Sequence, residues 1–206
     1  MQTGDYVVHI VDDEEPVRKS LAFLLTMSGF TARVHDSATS FLALAPGLTQ
    51  GLLVTDLRMP DMNGVELLTK LGENGTMLPA IVISGHGDVP MAVAAMKAGA
   101  LDFIEKPFED EVLIASIKRA AKCIGETLPS ADDAGKVQER IEQLSERERQ
   151  VLSAVVAGLP NKTIAYDLEI SPRTVEVHRA NVMAKMQAKS LAELVRMTLV
   201  AGRSPN

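Results

Sequence analysis

The chain has 206 residues, 46% of them hydrophobic but only 3% aromatic and none of them Trp, so aliphatic side chains and Met must fill an ordinary globular core. A single cysteine, Cys123, excludes an intramolecular disulfide framework; no apolar run nears the roughly 18 residues of a membrane span, and the start MQTGDYVVHIVDDEE is no basic, apolar leader, so a cytoplasmic protein without a membrane partner is expected. The net charge of -6 is unevenly spread, with 10 Lys and Arg against 17 Asp and Glu in residues 1–128 and 9 against 6 in residues 145–206, which suits the two halves to different partners.

From residue 7 to residue 124, short runs rich in Val and Ile alternate with helical patterns. The runs are Val7–Val11, Thr31–Val34, Leu52–Thr55, Ala80–Ser84 and Asp102–Glu105. The helical stretches are Glu15–Ser28, Ser37–Ala45, Asn63–Glu73, Val89–Ala98 and Glu109–Ile124. This repetition predicts a five-stranded parallel α/β sheet, doubly wound with helices on both faces, over residues 1–125. Near-continuous apolar strands fit a sheet buried on both sides. The stretch LPSADDAG, Leu128–Gly135, reads as a linker, and Lys136–Gln143 has the pattern to extend it as a short helix, so residues 126–143 are assigned to a partly helical linker.

From residue 144 the patterns are all helical. Ser145 to Glu148 is a capping box, followed by Val151, Leu152, Val155 and Val156 at core spacing and by Gly158 as a stop. A short helix covers about Lys162–Leu168, and Ser171-Pro172 opens a longer one to Met186. Ser190 to Glu193 is a second capping box, opening a last helix that ends near Gly202. Four short helices make an all-α domain over 144–206. Short helix, tight turn and longer helix is the pattern of a helix-turn-helix, and equally of two packed helices in a bundle. In the longer helix Val175, His178, Val182 and Met186 share one face, so His178 reads as partly buried. Arg173, Thr174, Glu176, Val177, Arg179, Ala180 and Asn181 lie elsewhere on it. Arg and Asn suit G and A edges in the major groove, and Val and Ala suit a thymine methyl. Lys162, Arg173 and Lys185 are expected to contact phosphates.

Open parallel sheets collect function at the carboxyl ends of their strands. Asp12 and Asp13 follow the first strand, Asp56 ends the third, Ser84 ends the fourth and Lys106 follows the fifth. Each alone has an ordinary reading, as a helix-start acid, a turn residue or a solvated lysine. Together they bring three carboxylates, a hydroxyl and an ammonium to one rim. Mg²⁺ relieves such repulsion, and aspartate is a nucleophile toward phosphoryl groups. The expected roles are Asp56 as nucleophile, Asp13 on the metal directly and Asp12 through water, Lys106 paired with Asp56, and Ser84 on the phosphoryl oxygens. A phosphatase of the haloacid-dehalogenase pattern wants a second acid where Arg58 stands. Only self-phosphorylation and self-dephosphorylation fit as enzymatic activity.

The segments HIVDDEEPVRKSL, LVTDLRMPDMNGVELL and IVISGHGDVPMAVAAMKAGALDFIEKPF resemble the receiver domain of two-component response regulators. That resemblance implies a flavodoxin-like sheet and phosphotransfer from a sensor histidine kinase to Asp56 with Mg²⁺. It also implies a third metal ligand at the Arg58 carbonyl, an aromatic switch at Phe103 and a cis Lys106–Pro107 bond. LSERERQVLSAVVAGLPNKTIAYDLEISPRTVEVHRANVMAKM resembles the LuxR-type DNA-binding domain. The combination is that of the NarL/FixJ type of regulator. It implies a transcription activator of nitrogen-fixation genes at low oxygen, a haem-based oxygen-sensing kinase, double-stranded promoter DNA and RNA polymerase as partners, and a homodimer when phosphorylated. Exposed stacking aromatics, which an RNA-binding domain more often shows, are scarce: only Tyr166 stands after residue 145.

Overall fold

A computed structural model describes residues 6–48, 50–76, 78–85, 89–122, 124 and 131–202, with the backbone alone at 131–134 and 200. The first five residues, Cys123 and residues 126–130 of the expected linker lie outside the described residues. Contacts divide the chain into two compact units, Met1–Gly87 with Ala98–Thr127 and Asp88–Lys97 with Leu128–Asn206.

The first unit carries the parallel strands β1 (Val7–Val11), β2 (Thr31–His35), β3 (Gly51–Asp56), β4 (Ala80–Ser84) and β5 (Asp102–Glu105), in the order β2-β1-β3-β4-β5. This is the flavodoxin-like order, with the chain reversing direction across the sheet between β1 and β3. Its helices are α1 (Glu15–Met27), α2 (Ala38–Leu44), α3 (Gly64–Glu73) and α5 (Asp110–Ala121); α4 (Val89–Lys97) is counted with the second unit, although the strand–helix alternation places it in the first. Alternate strand residues face opposite layers. Val8, Ile10, Leu52, Val54, Ile81 and Ile83 join Leu21 and Leu25 of α1 and Leu113 and Ile117 of α5 in one core. On the other face His9 packs against Phe41 of α2. The central strands β1, β3 and β4 thus bury both sets of side chains, which is why their sequences are apolar without alternation, whereas the edge strand β2 is largely exposed.

Local chemistry sets the helix starts. The Ser37 hydroxyl accepts from the Ser40 amide, so α2 begins at Ala38 rather than Ser37. Asn63 and Glu66 form a full capping box at the start of α3.

The second unit contains, besides α4, the helices α6 (Ala131–Glu142), α7 (Glu146–Val156), α8 (Asn161–Asp167), α9 (Pro172–Met186) and α10 (Leu191–Ala201). Val151, Leu152, Val155, Ile164, Val175, Val182, Met186 and Leu194 form its core, with α9 packed by α6, α7 and α8. Two details differ from the sequence reading. Helix α6 begins at Ala131, five residues ahead of the expected short helix and inside the Pro-, Ser- and Gly-marked stretch. Buried Val137 and Leu144 anchor it, and tertiary packing outweighs the cost of Gly135, about 1 kcal/mol. The Ser190 box closes on one side only: Ser190 Oγ accepts from the Glu193 amide, while the Glu193 carboxylate accepts from the Lys189 amide. Among the described residues no helix is long and apolar enough to cross a membrane.

Candidate functional site

The register of the sheet brings the ends of β1, β3 and β4 level: Val11 pairs with Thr55, and Asp56 with Ile83. Ser84 pairs with Glu105, and the Lys106 amide donates to the Ser84 carbonyl at 2.7 Å. Lys106 Nζ lies 2.7 Å from Asp56 Oδ1 and 3.3 Å from Asp12 Oδ2, joining two strand ends through one ammonium. The other oxygen of Asp56, Oδ2, accepts from the Arg58 amide at 2.7 Å, which turns the Arg58 backbone toward the carboxylate. Asp12 is buried and Ser84 is buried, whereas Asp13 stands exposed at the rim. Three carboxylates were expected to converge; two are drawn together by Lys106.

Burial pushes the Asp12 carboxyl above its ordinary range, against the opposing pull of the Glu14 amide and of Lys106. Burial also works against the charged Lys106, but the hydrogen bond and attraction to Asp56, with a further part from Asp12, hold its ammonium above the usual lysine value. Among the described residues no three His, Cys, Asp or Glu side chains are grouped to hold a metal. Mg²⁺ takes only one or two carboxylates and fills its octahedron with waters and phosphate oxygens. The buried Asp12 carboxyl beside that of Asp56, with Asp13 next to it at the exposed rim, is a hard-oxygen donor set that fits this ion.

Phe103 is half-buried on β5, opposite Val82. The residue before it anchors the strand: the Asp102 carboxylate accepts from Ser116 Oγ of α5 at 2.7 Å and pairs with Arg119. The Lys106–Pro107 bond is cis, as the family resemblance implied.

Helices α8 and α9 meet at the turn Leu168–Ser171, where Ser171 caps α9 through the Thr174 amide. Lys162, Arg173, Glu176, Val177, Ala180 and Asn181 are exposed. Several expected DNA contacts are engaged within the domain: the Thr174 hydroxyl lies 2.8 Å from Ser171 Oγ, Arg173 pairs with Glu176 at 3.5 Å, and Arg179 and Lys185 are tied to other helices. Arg179 is half-buried and donates to Asn161 Oδ1 at 2.7 Å, tying α9 to the start of α8. Lys185 Nζ lies 2.6 Å from the buried Glu148 of α7. His178 is half-buried as expected, and its Nδ1 is a buried atom without a hydrogen-bond partner. Sequence reasoning missed the Glu148–Lys185 and Asn161–Arg179 pairs because their partners lie 37 and 18 residues apart.

Comparison with known proteins agrees with this geometry. Residues 8–118 match the response regulator receiver domain, and residues 142–198 match the bacterial regulatory proteins of the luxR family. The transcriptional regulatory protein FixJ of Rhizobium meliloti is 68% identical over 202 residues, covering 98% of this chain and 99% of that protein. FixJ of Bradyrhizobium diazoefficiens is 48% identical, over 95% of each chain. Crystal structures of full-length FixJ from B. japonicum superpose with a TM-score of 0.56 at 47% identity, over 98% of this chain and 100% of that one. With a receiver domain on its first unit, a LuxR-type helix-turn-helix on its second, and full-length relatives that are transcriptional regulators, the chain belongs to the two-component response regulators of the NarL/FixJ type.

Proposed function

We propose that Asp56 is the phosphoacceptor of a switch that turns on promoter binding. The carrying observation is the Lys106 ammonium, 2.7 Å from Asp56 Oδ1 and 3.3 Å from Asp12 Oδ2 at the strand ends. An Asp56 oxygen attacks the phosphorus of a phosphohistidine on a sensor kinase; the new O–P bond forms as the N–P bond breaks and the imidazole leaves. Mg²⁺, held by Asp12, Asp13, Asp56 and the Arg58 carbonyl, would neutralise the incoming oxygens. Lys106 moves from the carboxylate to a phosphoryl oxygen, and the Ser84 hydroxyl bonds another. Phe103 repacks in response, and the phosphorylated chain dimerises.

A dimer presents two α9 helices to two half-sites, which multiplies a weak single-site affinity. Thr174, Glu176, Val177, Ala180 and Asn181 would read bases, with Arg179 joining them on release from Asn161, while Lys162, Arg173 and Lys185 would touch phosphates. By its likeness to FixJ the regulator would activate nitrogen-fixation genes at low oxygen, through a haem-based oxygen-sensing kinase and RNA polymerase. The protein would act in the cytoplasm and catalyse only its own phosphorylation and dephosphorylation.

Acetyl phosphate with Mg²⁺ should convert wild type to a dimer that shifts promoter DNA, while Asp56→Asn stays monomeric and weak. Sedimentation and gel shift read both. Equal dimerisation of the two proteins would overturn the switch.

A further inference from the structure

Asp12 is clamped from four directions. Its amide donates to the His35 carbonyl at the end of β2, 3.3 Å away. Its Oδ1 accepts from the Glu14 amide at 2.8 Å, and its Oδ2 faces Lys106 at 3.3 Å. The fourth contact comes from α1, where Arg18 Nη1 donates to the Asp12 carbonyl at 2.6 Å. Arg18 is half-buried, while the adjacent Lys19 is turned outward and paired with Glu15.

The carbonyl of Asp12 and the amide of Asp13 belong to one rigid peptide plane. Holding that oxygen fixes the direction in which Asp13 leaves the strand, as well as the depth at which Asp12 sits. We infer that Arg18 is a positioning residue for the acid pair, setting the metal affinity of the pocket without touching metal or phosphate. The inference rests on the reading of this pocket as an Mg²⁺-dependent phosphoacceptor site. A single N–H contact and a positive charge are what the carbonyl uses, so lysine should replace arginine in part even though the two are not interchangeable at forked contacts.

The test titrates Mg²⁺ into the full chain by calorimetry, for wild type, Arg18→Ala and Arg18→Lys, with thermal melting of the metal-free proteins alongside. Arg18→Ala should weaken Mg²⁺ binding about tenfold, the size of a lost charge-assisted hydrogen bond. Its metal-free melting temperature should stay within about 5 °C of wild type, and Arg18→Lys should recover most of the affinity. Unchanged Mg²⁺ affinity in Arg18→Ala would overturn the inference while leaving the pocket reading intact. Collapse of the metal-free fold in both variants would also overturn it, because the role would then be structural. A wild type that binds no Mg²⁺ would refute the pocket reading and the inference with it.

Discussion

A methyl group added at Gly64 would place its carbon 2.6 Å from the Asp56 carbonyl oxygen and 3.3 Å from the Leu57 Cα. Both obstacles are backbone and cannot swing aside as a side-chain end would. The Gly64 amide already donates to the Leu57 carbonyl at 2.9 Å, which draws the start of α3 against the end of β3. The glycine is therefore a spacer under the candidate phosphoacceptor, and its sequence context, with Asn63 before it, reads only as turn chemistry. Gly64→Ala should destabilise the receiver by about 1–3 kcal/mol through overpacking. Because the strain falls on the Asp56 peptide, it should also slow phosphate uptake from acetyl phosphate. Urea unfolding and phosphoprotein gels check the two effects; an alanine variant with wild-type stability would show that the backbone yields freely here.

At the scale of elements, the long-range ties decide what was legible. Asp12, Asp56, Ser84 and Lys106 stood out because strand ends of a parallel sheet converge, so their positions along the chain were enough. Arg18 did not stand out: a basic residue on an amphipathic helix reads as solvated, and only the turn of β1 into α1 brings a carbonyl beneath it. The sequence reads Lys185 as a phosphate contact because its charge lies on the longer helix α9, yet α7 offers Glu148 to it at 2.6 Å. That carboxylate also closes the Ser145 capping box, so one acid serves the start of α7 and the packing of α9. Lys185→Met should cost the second unit about 1–3 kcal/mol, since it leaves a buried carboxylate short of a partner. If the pair is structural, the salt dependence of DNA binding keeps its slope. A slope shallower by about 1 in the variant would return Lys185 to the phosphate contacts.

For the whole molecule, the two units carry acid sensitivity in different ranges. In the first, His9 and His35 meet across β1 and β2 with Nδ1 and Nε2 3.0 Å apart, and Phe41 lies against both rings. Burial, then repulsion from His35 and Arg33, lowers His9 to about 4; burial and Arg33 lower His35, against a partial offset by Asp36. Below the ordinary histidine value of about 6.5 the unfolded chain binds more protons than the folded one. The stabilisation by this pair is thus complete above about pH 6.5 and drains away as pH falls toward 4, by about 3 kcal/mol for His9 alone. Asp12 acts in the opposite sense, because its raised carboxyl is relieved by protonation. In the second unit, the hydrogen bond from Lys185, with the Ser145 amide next, holds Glu148 down to about 2. Its contribution is present above about pH 4.5 and is lost only as pH falls from there toward 2. The chain has two Tyr and no Trp. Tyr6 is buried beside Phe30 in the first unit, and Tyr166 is 85% exposed on α8. A Tyr166→Phe protein would therefore report the receiver alone by tyrosine emission, while ellipticity at 222 nm follows helices of both units. Between pH 6.5 and 4.5 the urea midpoint seen by Tyr6 should fall, and a later ellipticity transition should hold its place until the pH drops further. His9→Gln should flatten the first change and leave the second alone. Midpoints that move together through one range, in both proteins, would mean that neither the histidine pair nor Glu148 governs the acid response of its own unit.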